Sequence, residues 1–269
     1  MQKYFQKGWD GEEPLVYPLM ESPKGGEHSQ LVSPTGGNPH GLDAPVYPGD
    51  KGFDDILSEV LEVRMQVLRG KWPADFLKKH HPRDDFDPNR IPVPLRRFVG
   101  DELNPDEATR SVVGDHPLSL PLNILGWLLE QGPESKRVDL GHVMFFENQF
   151  LVPENVSDAS KRVATKALEA KYHFGLARPE EVLRMMGSLL TASIQGCPCH
   201  PSYPALHAAA SSAAGQLDKE YYLKDEWLRE IFDSLYHHSM YRTFGAFHYT
   251  QDNIAGLKLG GLWTAYWMQ

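Results

Sequence analysis

One property of this chain limits its fold more than any other. Apolar residues recur at helical spacing along most of it, and no long segment alternates Val, Ile or Thr with polar residues. The run FDDILSEVLEVRMQVLRG, from Phe53, places Ile56, Val60, Leu61, Val63 and Val67 so as to predict an amphipathic helix. LSLPLNILGWLLEQG (118–132) reads as a buried helix ended by Gly132. Beyond residue 155 the pattern is helical almost throughout, with helices expected over 179–195, 205–217, 224–241 and 251–267. No internal repeat is evident. The expected fold class is all-α, a helical bundle. Residues 1–52 are rich in Pro and Gly and are expected to form an arm that wraps the core or stays partly disordered. Residues 53–269 are expected to form one helical domain.

Several function classes drop out on composition. The formal charge is −9, the pI about 5.7, and no Lys/Arg cluster could track a phosphate backbone, so nucleic acid is not an expected partner. No apolar run approaches the roughly 18 residues of a membrane span. The opening MQKYFQKGWDGEEPLVYPLM has no apolar stretch of the signal-peptide kind, so neither a membrane anchor nor a leader is expected. The only cysteines, Cys197 and Cys199 in GCPCHP, are too close for an ordinary mutual disulfide and lack the second half of a metal site. HHPRDDFDPNRIPVP (80–94) gathers His and Asp, but its prolines break regular ligand spacing, and it reads as a loop without metal. Asn155-Val156-Ser157 matches a glycosylation acceptor, which matters only in a secreted protein.

Three stretches carry chemistry. In KYHFGLARP, Lys171 and Arg178 lie seven residues apart, close to two helical turns, so they can share a helix face. Two cations side by side are either a solvated basic surface or a cradle for an anion. In HPSYPALHAAASSAAG, Pro201 and Pro204 lead into an Ala-rich helix whose first turn holds His207 and offers backbone N–H groups. A plain packing helix explains the alanines equally well, and a satisfied core histidine explains His207. In YRTFGAFHYTQD, Arg242 and His248 are six apart, with Gly245 expected to give the turn its freedom. His248 and Asp252 are i and i+4, so the carboxylate can hold the imidazole in one tautomer. An ordinary surface His–Asp pair would show the same spacing.

Taken together the stretches read Lys-x6-Arg-Pro, Pro-x-x-His and Arg-x5-His-x3-Asp. In order and spacing this resembles the vanadium-dependent haloperoxidases and the related acid phosphatases of the phosphatidic acid phosphatase type 2 superfamily, with wording nearer the haloperoxidases. The resemblance covers roughly residues 165–262. It implies a helical bundle of that kind. It implies that Lys171, Arg178 and Arg242 bind the oxygens of vanadate or phosphate, which suits their fixed charge and the planar arginine fork. It further implies that His248 is the apical ligand to vanadium or the nucleophile on phosphorus, that His207 is the opposing acid–base, and that Asp252 orients His248. His200, seven residues before His207, stands where that branch places a residue associated with halide preference.

The pattern departs at Ala205 and Leu206, which occupy the oxyanion-binding Ser-Gly of the family motif. Ala205 forfeits a charge-assisted bond of about 1.5–3 kcal/mol, and Leu206 adds bulk where the family leaves room. Tyr241 likewise replaces a serine. The expected activity is oxidation of bromide or iodide by hydrogen peroxide at a His-bound vanadate, acting on a small organic molecule. Two alternatives are a metal-free phosphate or diphosphate ester hydrolase or lyase using His248 as nucleophile, and a degenerate member that binds without turnover. Halide preference, organic substrate and assembly into a homo-oligomer stay open at this stage.

Overall fold

The computed structural model describes residues 5–7, 14–16, 41–92, 95–96, 104–113, 163, 166–187, 200–214 and 226–267. The expected helix at 118–132, both cysteines and the glycosylation-like triplet lie outside the described residues. Two short strands, β1 (Phe5–Lys7) and β2 (Pro14–Val16), pair antiparallel with Phe5 opposite Val16. The rest of the described secondary structure is helical, as the periodicity requires.

Helix α1 (Phe53–Leu68) begins after Gly52, whose φ of 91° is left-handed, and carries Asp54 and Asp55 in its first turn, where the helix dipole favours negative charge. Phe53, Leu57, Val60, Val63 and Val67 form its buried stripe. Ile56 and Leu61 are only partly buried, at the edge of the same core. Arg64 is buried within that stripe because its Nη1 donates to the Phe244 carbonyl at 3.3 Å and lies 3.7 Å from Asp106. Helices α2 (Ala74–His80) and α3 (Pro105–Val113) are short elements that the periodicity does not single out. Between them 81–92 is a loop, and no His, Cys, Asp and Glu cluster among the described residues could hold a metal ion.

The site-bearing half contains α4 (166–174), α5 (Pro179–Met185), α6 (Leu206–Ala214), α7 (Glu226–Phe244) and α8 (Thr250–Trp267). Helix α8 lies along α6 at close range. A Cβ at Gly256 would collide with the Ala205 carbonyl, and one at Gly260 with the Ala209 carbonyl. Small residues on both helices, Ala208 and Ala209 against those glycines, permit the approach. Asn253 of α8 ties to α7 by donating from Nδ2 to Thr243 Oγ1 at 2.8 Å.

The described end of the N-terminal arm, 41–52, wraps this half. Leu42 is buried. Gln251 forms a two-way bond with the Val46 backbone, accepting at 3.0 Å and donating at 3.1 Å. Tyr203 donates its hydroxyl to the Asp43 carbonyl at 2.6 Å, and Tyr47 donates to the Phe174 carbonyl at 2.8 Å. Among the described residues no helix is long and apolar enough to cross a membrane.

Candidate active site

Lys171 and Arg178 do not share a helix face. Helix α4 ends at 174, and Gly175 turns the chain with a φ of 62°. Arg178 is then the N-cap of α5, with Pro179 in the first turn, where its fixed φ suits a helix start. Glu181 closes the cap by accepting the Arg178 backbone N–H at 2.8 Å. This break turns the arginine inward. Lys171 is completely buried and Arg178 is 1% exposed.

The two cations hold backbone. Lys171 Nζ donates to the carbonyls of Pro201 at 3.0 Å and Ser202 at 2.7 Å. Arg178 donates from Nε to the His200 carbonyl at 3.0 Å and from Nη1 to the Phe247 carbonyl at 2.8 Å. Its Nη2 donates to His200 Nδ1 at 3.1 Å. That bond requires a neutral His200, and burial followed by the charges of Lys171 and Arg178 pushes the imidazole down to about 2.

His248 and Asp252 sit at the start of α8. Asp252 lies in the first turn and accepts the Tyr249 backbone N–H at 3.0 Å, a cap-like bond at the positive end of the dipole. The His248 Nδ1–H donates to Asp252 Oδ2 at 3.1 Å, which leaves the lone pair on Nε2. Nε2 lies 3.5 Å from Arg178 Nη1. Burial first, then Arg178, Lys171, Arg242 and His207, drive His248 well below the ordinary histidine range, so the ring is neutral. Burial also lifts Asp252 to about 6, against the hydrogen bond from Ser202 and the charge of Lys171.

Ser202 is the residue that sequence reasoning missed. Its hydroxyl donates to Asp252 Oδ2 and stands 3.2 Å from His248 Nδ1. Its N–H donates to the Leu176 carbonyl at 2.7 Å, while its own carbonyl takes the Lys171 bond. One buried serine thus joins the first and third stretches. The only signal was its place in HPSYP, where the expected hydroxyl position was 205.

Arg242 enters from the last turn of α7, buried, with its guanidinium 4.8 Å above the Phe247 ring. Burial and the Arg178 charge lower it to about 9. The turn after it differs from expectation. Gly245 is needed for space, since a Cβ there would meet the Phe247 ring, and the left-handed residue is Ala246 with φ 56°. Tyr241, one residue before Arg242, is fully buried in an aromatic group with Trp72 and Phe244.

His207 lies in the first turn of α6, edge-on to His238 with ring centroids 5.7 Å apart. Ala205 is fully buried, and its N–H donates to the Asp252 carbonyl at 2.9 Å. Leu206 is partly buried and packs against the apolar core.

The structure therefore gathers Arg178, His200, His248 and Asp252 through direct contacts and ties Lys171 to them through the Ser202 carbonyl, with Arg242 and His207 close enough to act on His248 electrostatically. Among the described residues this centre holds three basic side chains, with Asp252 among them and Glu180 and Glu181 acting on Arg178 from the start of α5. Bonds from Lys171 and Arg178 to backbone carbonyls and to His200 offset part of the cost of burying these charges. The His248 Nε2 lone pair stands beside the Arg178 guanidinium. Compared with protein-family models and with curated proteins, the sequence matches none.

Proposed function

We propose that this chain is a vanadium-dependent haloperoxidase-like enzyme built on a helical bundle of the haloperoxidase and type 2 phosphatase kind. One observation carries the reading. His248, held neutral and oriented by Asp252, aims Nε2 at the Arg178 guanidinium inside a buried excess of positive charge. The spacing of the three stretches supports it independently of any overall sequence likeness. Vanadate bound there would supply Lewis-acid activation of peroxide without a change in oxidation state. Arg178, Arg242 and Lys171 would hold its oxygens, His248 would hold the central atom, and His207 would move a proton at the bound oxyanion. Asp252 and Ser202 would keep the His248 ring in its tautomer.

A second reading rests on the same geometry with phosphate in place of vanadate. A neutral buried His248 lone pair would also be a competent nucleophile toward phosphorus. One preparation separates them. Orthovanadate should bind and its binding should be lost in His248→Ala, and the loaded protein should oxidise bromide with hydrogen peroxide. Hydrolysis of phosphate esters without bromide oxidation would favour the second reading. Failure to bind either oxyanion would end both.

A further inference from the structure

The aromatic pair beside His207 has a partner that the oxyanion cradle does not use. His238 lies on α7 one turn before Arg242, is completely buried, and is held neutral: burial and then the Arg242 charge push it down to about 3. Its Nδ1 meets Ser211 Oγ at 2.8 Å. Ser211 is fully buried and lies on α6 one turn after His207. The tether to Ser211 and the ring contact with His207 therefore reach the same helix at i and i+4. The other ring nitrogen, Nε2, is buried and has no hydrogen-bond partner among the described residues. A residue used only for packing would do better as Phe or Leu, because burying an unpaired imidazole nitrogen costs free energy. The arrangement makes sense if the ring's direction matters more than the cost.

We propose that Ser211 and His238 are positioning residues for His207, the Ser211 hydroxyl locking the His238 ring so that its edge fixes the imidazole of His207. This rests on the functional reading above, in which His207 moves a proton at the bound oxyanion. Aim matters there because a small misplacement of a catalytic group costs up to about a hundredfold in rate. Among the described residues no hydrogen bond joins His238 to a group assigned to the oxyanion, although it lies one turn before Arg242 and feels its charge. Loss of His238 should therefore change turnover and leave oxyanion affinity alone, a split that general loosening of the core would not give.

The test uses the full chain with three measurements: orthovanadate affinity, bromide oxidation by the loaded protein, and the ring nitrogen signals of His207 in a histidine-labelled sample, assigned with His207→Asn. In Ser211→Ala and His238→Ala, kcat should fall about tenfold or more, vanadate affinity should hold, and the His207 ring should show averaged signals. Ser211→Thr should restore both. The double variant should be little worse than either single one, because both act through one contact. Unchanged kcat and ring signals in Ser211→Ala overturn the proposal, as does a parallel loss of affinity and turnover. If His238→Ala does not fold, Ser211→Ala decides, since it removes a single oxygen. The ring signals also separate the two claims. If the wild-type chain binds no vanadate but its His207 signals still respond to Ser211→Ala and recover in Ser211→Thr, the functional reading has failed and the positioning contact stands.

Discussion

On the proposed function, His248 and Asp252 would divide one task between bonding and orientation. His248→Ala should abolish turnover and vanadate binding together, because His200, the other ring bonded to Arg178 among the described residues, is already committed. Asp252→Ala should lower activity by about 10–100-fold, since a lost orienting partner weakens a ligand without removing it. Turnover assays with circular dichroism as a folding control would check both. Ser202→Ala should destabilise the protein by about 1.5–3 kcal/mol, the worth of a hydrogen bond to a charged group, measured by urea unfolding. Lys171 should be unaffected there because it bonds the Ser202 carbonyl. The charged members of the site were legible because side-chain type and spacing carry their signal. Their partners were not. The Pro201, Ser202, His200 and Phe247 carbonyls belong to any residue, so no letter in the sequence marks them. Ala246, left-handed without being glycine, is hidden for a similar reason.

Helices that the sequence shows well are those with a wide buried stripe. α1, α7 and α8 appear close to where the periodicity puts them. α2 and α3 span two turns or so, too short for a period to register, and are fixed by tertiary contacts such as Tyr236 donating to the Leu77 carbonyl at 3.3 Å. The α6–α8 contact gives a test by sign. Alanine in a helix is usually better than glycine by about 1 kcal/mol, but at Gly256 the new methyl would strike the Ala205 carbonyl. Gly256→Ala should therefore destabilise by about 1–3 kcal/mol. Gly261→Ala, where a Cβ would meet Ser212 Oγ at an ordinary 3.6 Å, should be neutral or stabilising. Thermal unfolding of the two variants compares them directly. Glu59 provides a second inter-element prediction, since α1 reaches α2 and α8 through it. Burial opposes its charge, but bonds from His80, Lys79 and Thr250 win and hold it at about 2. Its folded pKa lies below the unfolded value, so its contribution is present above the ordinary carboxylate range and is lost as pH falls towards 2. The stability difference between wild type and Glu59→Gln should be flat at neutral pH and vanish across that acid window, as read by urea midpoints.

The described secondary structure is helical apart from one small ribbon, and its helical character follows from hydrophobic period. The path of the N-terminal arm does not, because Pro and Gly specify where a chain cannot be regular without saying what it lies against. Tyr47, Tyr203 and Gln251 settle that through bonds to backbone. Energetically the molecule carries a burden at its centre. Burial pushes Lys171 and Arg242 below their ordinary ranges, and each cation opposes its neighbours. An anion that binds only the folded state should relieve this. Orthovanadate or phosphate at a hundred times its Kd should add about 2.7 kcal/mol, visible as a raised melting temperature at constant ionic strength. Chloride at the same ionic strength should not reproduce it.

The basic side chains of the centre also serve as masonry. Lys171 clasps the segment at 201–202, and Arg178 clasps both His200 and Phe247, so these two residues pin together stretches of chain far apart in sequence. A descendant that abandoned the chemistry could not easily discard them, because each replacement would release a loop along with a ligand. Drift after loss of any activity should therefore begin elsewhere. Lysine and arginine would be the last of the site to go.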